Sequence, residues 1–108
     1  MVEGGDIKGK ATLLIEDHVS TGGSSLHGVN VIQNEGGSLP ACWAITSYGW
    51  QEAVEAFDKV NVKLFTLTSF PVILEEAVKR KMISTDESSI VKDWLADPHG
   101  WGKKQGLE

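Results

Sequence analysis

Leu13-Leu14-Ile15-Glu16-Asp17-His18-Val19-Ser20-Thr21-Gly22-Gly23-Ser24-Ser25 is the stretch on which the reading of this chain turns. Ala11 to Ile15 is a short apolar run between turn signals, the pattern of a strand buried in a parallel sheet. Two adjacent carboxylates follow it, then a turn rich in hydroxyls and glycines. Ser24 to about Asn34 next sets Leu26, Val29 and Ile32 on one helical face, and Gly36-Gly37 stops that helix.

The alternation continues outward. Leu39 to Thr46 reads as a second buried strand, with Pro40 near its start, where proline is tolerated. Gln51 to Asp58 reads as a helix, because Trp50, Ala53, Val54 and Phe57 recur at helical spacing. Val62 to Leu67 is a third strand. Phe70, Ile73, Leu74, Ala77 and Val78 mark a third helix, with Pro71 in its first turn. Thr85 is read as the N-cap of a last helix that buries Ile90, Val91, Trp94 and Leu95 and ends at Asp97-Pro98. The order β-α-β-α-β-α-α implies an α/β fold with a parallel sheet and right-handed crossovers. Residues 1–108 are expected to form one domain, with 1–10 as a turn-rich lead-in and 99–108 as a tail. Met1 is read as an added start and Leu107-Glu108 as a cloning scar, and both are left out of the functional reading.

Composition narrows the classes. The chain has 108 residues, enough for one small core. A net charge of -5 argues against a general nucleic-acid binder, which needs a basic face. The single cysteine, Cys42, rules out an internal disulfide and points to an intracellular, cytoplasmic protein. No apolar run approaches the roughly 20 residues of a membrane span, so no membrane partner is expected. The first residues lack the regions of a signal peptide. Without a cluster of Cys or His at ligand spacing, no protein-held metal site is expected.

The opening stretch carries the chemistry. In parallel α/β sheets ligands bind beyond the carboxyl ends of strands, where Glu16 to Ser25 falls. Gly22 and Gly23 allow the backbone to approach a ligand closely. The following helix offers free N–H groups and the positive end of its dipole, which together make an anion site. Ser20, Thr21, Ser24 and Ser25 add hydroxyl donors. Glu16 and Asp17 accept strong hydrogen bonds from a diol, and they draw Mg²⁺, which prefers oxygen ligands shared with phosphates. This order of groups suits a sugar phosphate. A Walker loop is excluded, since no G-x-x-x-x-G-K-[ST] occurs, and so is the G-x-G-x-x-G dinucleotide fingerprint.

The strand-E-D-x-x-S-T-G-G-S-S-helix string resembles the phosphoribosyl-pyrophosphate signature of the type I phosphoribosyltransferases, a Rossmann-like fold. Further segments are similar to the C-terminal half of the orotate phosphoribosyltransferases. They are Ile7-Lys8-Gly9-Lys10, Ile45-Thr46-Ser47-Tyr48-Gly49, Leu64-Phe65-Thr66-Leu67-Thr68, Met82-Ile83 and Asp93-Trp94-Leu95-Ala96-Asp97-Pro98, and the likeness runs from about Glu3 to Trp101.

The resemblance implies transfer of ribose 5-phosphate from phosphoribosyl pyrophosphate to N1 of orotate, in pyrimidine nucleotide biosynthesis. It implies that Glu16 and Asp17 hold the ribose hydroxyls as the catalytic pair. It implies that Ser20, Thr21, Gly22, Gly23 and Ser24 wrap the 5′-phosphate, that Mg²⁺ accompanies phosphoribosyl pyrophosphate, and that the parent is a homodimer. Family members are about twice this length, and their other half carries a pyrophosphate-binding turn, part of the orotate pocket and a mobile basic loop. The chain is therefore expected to be a weakly active or inactive fragment. The alternative is a non-catalytic module of the same fold that binds a nucleotide or sugar phosphate; a purine-base transferase fits the later segments less well. His18 stands where the family usually has an aliphatic residue, and it reads as a partly exposed loop histidine or as a new phosphate contact. Trp43 reads as core or interface, Cys42 as buried, and His27 and His99 as surface. Tyr48 falls just past the second strand, near where a base would bind.

Overall fold

The computed structural model of the chain describes residues 2–107; Met1 and Glu108, read above as an added start and half of a scar, lie outside them. Residues 1–70 and 71–108 form two compact units.

The first unit holds β1 (Ala11–Val19), α1 (Gly23–Asn34), β2 (Ser38–Ser47), α2 (Gln51–Lys59) and β3 (Lys63–Thr66). The strands lie in the order β1-β2-β3, all parallel. Leu14 stands beside Cys42 and Cys42 beside Leu64, while Ile15 stands beside Trp43 and Trp43 beside Phe65. These two rows belong to opposite faces, because successive side chains in a strand alternate. α1 and α2 touch each other and share one core built on Val29, Cys42, Ala44, Ala53 and Phe57, so both cover the face that carries Cys42.

β1 is longer than its apolar run. It continues through Glu16, Asp17 and His18 to Val19, because β2 offers a ladder to the end, with Glu16 beside Ala44, His18 beside Thr46 and Val19 beside Ser47. Pairing outweighs the weak strand preference of two acids. α1 ends in a turn at Gly36, whose φ of +84° favours glycine, with Gly37 N–H donating to the Ile32 carbonyl at 3.0 Å. The lead-in is tied to that turn, since Gly9 N–H donates to the Gly36 carbonyl at 2.9 Å and Ser38 N–H to the Lys10 carbonyl at 2.9 Å.

The second unit holds α3 (Phe70–Lys79, entering from the last residue of the first unit), α4 (Thr85–Ala96) and a short α5 (Trp101–Lys104) that the sequence reading placed in the tail. The cap of α4 is Ser84 rather than Thr85. The Ser84 hydroxyl accepts from Glu87 N–H at 3.1 Å, and the Glu87 carboxylate accepts from Ser84 N–H at 3.0 Å, a reciprocal capping box. These bonds hold the Glu87 carboxyl below its ordinary pKa. The expected buried face of α4 is only partly covered: Val91, Trp94 and Leu95 are half-buried, whereas Ile90 is exposed and Ser88 is buried. Asp97 closes α4 and braces α5, accepting from Gly100 N–H at 3.0 Å and pairing with Lys104. Lys104 and the Gly100 amide hold the Asp97 carboxyl below its ordinary pKa.

Candidate sugar-phosphate site

The candidate site begins where β1 hands over to α1. Ser20, Thr21 and Gly22 are the whole connection. Gly22 has φ +92° and ψ -3°, a left-handed conformation that an L side chain resists. It is buried, and a Cβ there would sit 3.4 Å from the Phe57 ring and 3.8 Å from the Ala53 backbone. So α2 supports the turn from below; a Cβ would meet it at ordinary contact distance, and it is the dihedral that calls for glycine. The Gly22 carbonyl accepts the first helical bond, from Leu26 N–H at 2.9 Å.

The start of α1 is electrostatically open. No side chain caps it, and its first turn holds no acidic residue. Thr21 Oγ1 accepts from Gly23 N–H at a long 3.4 Å. By contrast α4 fills its own N-terminus with Ser84, Asp86 and Glu87. Free N–H groups at the positive end of a helix, uncontested by a carboxylate, are suited to an anion. Ser20, Gly23 and Ser24 are exposed around this start and Thr21 is half-buried. Ser25 is different: only 3 % exposed, its hydroxyl lies in the interior rather than among the surface donors expected of it.

Because β1 persists as a strand past both acids, Glu16 and Asp17 alternate across the sheet. Glu16 shares the helix-covered side with Leu14 and is half-buried; Asp17 shares the other side with Ile15 and is exposed. Asp17 Oδ1 also accepts from His18 N–H at 2.7 Å, which fixes one carboxylate oxygen and leaves the second available. Cys42 lies in the core beneath. Its thiol pKa is pushed up to about 11, first by burial and then by the negative charge of Glu16, so it stays a neutral hydrophobe.

His18 is partly exposed, as expected, but it is not a loop residue. It lies within β1 and is half-buried, with Nδ1 2.7 Å from the Thr46 hydroxyl and its ring edge-on to Tyr48 at 4.4 Å. Its Nε2 is fully buried and has no hydrogen-bond partner. Tyr48 in turn stacks on Trp50 at 4.5 Å and meets Phe70 edge-on at 5.2 Å. An aromatic cluster therefore stands at the carboxyl end of β2, next to the acids. The spacing of Tyr48 and Trp50 hinted at it; the role of Thr46 depends on strand register and had no sequence signal. Trp43 is neither buried nor paired in a core: it is 41 % exposed and stacks on Phe65 at 4.8 Å. His27 and His99 are exposed, as expected.

Comparison with known proteins agrees with this architecture. The orotate phosphoribosyltransferase of Listeria innocua is 34% identical over 102 residues, which is 94% of this chain and 49% of that protein. The UMP synthase of Leishmania donovani superposes with a TM-score of 0.79 over 87% of this chain and 21% of its own, at 19% identity. The orotate phosphoribosyltransferase of Mycobacterium tuberculosis, solved in complex with 5-phospho-alpha-D-ribosyl 1-diphosphate, superposes with a TM-score of 0.58 at 25% identity, over 64% of this chain and 41% of its own. No family model matches the chain.

The parallel sheet with its flanking helices is the fold of the type I phosphoribosyltransferases. Within that class, the chain is similar along 94% of its length to orotate phosphoribosyltransferases, and it spans about half the length of the curated relatives it matches. No helix among the described residues is long and apolar enough to cross a membrane.

Proposed function

We propose that this chain is the phosphoribosyl-pyrophosphate-binding portion, C-terminal in the family, of an orotate phosphoribosyltransferase. In the complete enzyme N1 of orotate bonds to the anomeric carbon of the ribose while the bond from that carbon to pyrophosphate breaks, giving orotidine 5′-monophosphate. The observation that carries this reading is the open start of α1, reached through a glycine turn that begins two strand residues after a pair of carboxylates.

In this reading Glu16 and Asp17 hold the ribose 2′- and 3′-hydroxyls from the two sides of β1. Ser20, Thr21, Gly22, Gly23 and Ser24 surround the 5′-phosphate. Both groups act by positioning and by fixed charge, the main resources for a step with positive charge building on the sugar. Among the described residues no three His, Cys, Asp or Glu side chains converge to hold a metal. The carboxylate oxygens of Glu16 and Asp17 suit Mg²⁺ that arrives with phosphoribosyl pyrophosphate, because that ion prefers oxygen ligands shared with phosphates. Orotate is the second substrate, the parent is a homodimer, the compartment is the cytoplasm, and residues 1–108 act as one functional portion.

Calorimetry of the chain with Mg²⁺ and phosphoribosyl pyrophosphate tests this. Saturable binding that is lost when Asp17→Asn and Glu16→Gln are combined supports the reading; no heat at millimolar ligand contradicts it. Orotate added to the complete enzyme, rather than to this portion alone, separates a transferase from a sensor, since only the former releases orotidine 5′-monophosphate.

A further inference from the structure

His18 brings a buried polar atom to the edge of the candidate site, and nothing in the proposed reaction uses it. Its Nδ1 bonds the Thr46 hydroxyl, but its Nε2 is fully buried without a partner. A buried nitrogen left unpaired costs stability, and such groups in native proteins call for a reason. Valine or isoleucine would fill a strand position of this kind at no polar cost. Stability therefore does not explain the histidine. The reason lies in what the ring touches.

The ring stands edge-on to Tyr48, with the two planes at 81°. Tyr48 in turn stacks on Trp50 and meets Phe70 edge-on. Tyr48, Gly49 and Trp50 are the whole connection from β2 to α2. Tyr48 N–H donates to the Val19 carbonyl at 3.3 Å and Gly49 N–H to the Ser47 hydroxyl at 3.2 Å, both on the long side for hydrogen bonds. Gly49 is exposed, so the lateral position of the two rings depends on what packs beside Tyr48. His18, paired with Thr46 in the β1–β2 ladder, is the neighbour on the β1 side. A valine there is shorter and leaves Tyr48 room to move.

The place matters because of what lies alongside. Val19, whose carbonyl Tyr48 meets, is the last residue of β1 and directly precedes Ser20. The aromatic pair thus flanks the carboxyl end of β1, where ligands of parallel sheets bind. A ribose held by Glu16 and Asp17, with its 5′-phosphate at the start of α1, carries its base at the opposite end of the sugar. Tyr48 and Trp50 are half-buried, and stacked aromatic rings that keep some exposure are suited to a planar base.

We infer that His18 is a positioning residue: its ring, oriented by Thr46, holds Tyr48 and Trp50 where they recognise the planar base joined to the ribose. The inference rests on the proposed sugar-phosphate site. His18 acts through Tyr48, and its unpaired Nε2 follows from the use of a rigid flat ring as the spacer.

Calorimetry of the full chain with ribose 5-phosphate and with orotidine 5′-monophosphate tests this, because the ratio of the two affinities isolates the base. The nucleotide should bind about tenfold more tightly, falling to about twofold in His18→Val with the affinity for ribose 5-phosphate unchanged. His18→Phe, which keeps a flat ring and removes both nitrogens, restores the ratio. A denaturation midpoint that does not fall in His18→Val separates positioning from loss of the fold. In the ligand-free chain the Tyr48 and Gly49 amides should exchange about tenfold faster in His18→Val and at the original rate in His18→Phe. A ratio that His18→Val leaves intact, a fall that His18→Phe does not restore, or unchanged exchange at Tyr48 and Gly49 overturns the inference. Equal binding of nucleotide and sugar phosphate to the unaltered chain also overturns it while sustaining the sugar-phosphate reading. Binding of neither at millimolar concentration removes both.

Discussion

His18 Nδ1 lies 2.7 Å from the hydroxyl of Thr46, directly across the β1–β2 ladder, while the opposite ring nitrogen is buried without a partner. One good hydrogen bond and one unsatisfied polar atom thus share a side chain two residues from the hydroxyl turn. A net hydrogen bond contributes about 1 kcal/mol, and an unsatisfied buried group costs about 1–3 kcal/mol. The second effect is at least as large as the first. His18→Val, which removes both and suits a strand, should leave urea stability unchanged or raise it by about 1 kcal/mol. Thr46→Ala, which strands both ring nitrogens, should lower it by about 1–2 kcal/mol. A loss above about 2 kcal/mol in His18→Val would show that Nε2 has a partner in solution.

Gly22→Ala addresses the turn itself. The left-handed backbone opposes it, while the Phe57 ring, 3.4 Å from a Cβ, leaves ordinary contact room. The expected cost is about 1–2 kcal/mol, with weaker phosphate binding because the start of α1 shifts. Equal affinity for Mg²⁺ and phosphoribosyl pyrophosphate in the variant, measured by calorimetry, would separate the turn from the site.

The capping box of α4 makes a prediction at residue resolution. Ser84→Ala should cost about 1 kcal/mol, and Thr85→Ala little. The sign with pH follows from Glu87, whose carboxyl is held below its ordinary pKa by Ser84. Its contribution is present above the ordinary carboxylate range and disappears as pH falls through the lowered value. The Ser84→Ala penalty should therefore shrink in acid. Denaturation of both variants at neutral pH and near pH 3 checks this, and a penalty that grows in acid contradicts it.

Cys42 sets an alkaline limit. Its thiol is raised from 9.0 to about 11 in the folded chain, so the unfolded chain loses this proton first. The stabilisation is complete below about pH 9 and is lost as pH rises through 11. Two pKa units amount to on the order of 2–3 kcal/mol. Cys42→Ala should flatten the stability profile between pH 9 and 11, and a profile that falls equally in both chains would place the alkaline loss elsewhere.

Much of this was legible in the residues. Apolar runs and glycine breaks located β1, α1, β2 and α2, because local periodicity and turn chemistry determine those elements. The extension of β1 through Glu16, Asp17 and His18 was not legible, since it depends on β2 running alongside. The same register explains why His18 lies in a strand rather than a loop and meets Thr46. Ser84 was legible in principle: Ser84-x-x-Glu87 is the capping-box spacing, although Thr85 beside it is an equally good capping residue by type. The exposure of Trp43 had no local signal, because an apolar residue in a strand reads the same whether or not a layer covers it.

The most direct measurement is a titration of the isotope-labelled chain with Mg²⁺ and phosphoribosyl pyrophosphate, following backbone amides. The account predicts shifts concentrated from Glu16 through Ser25, saturating at or below millimolar ligand, and largest at the amides opening α1. Shifts centred elsewhere, or none at millimolar ligand, would contradict it.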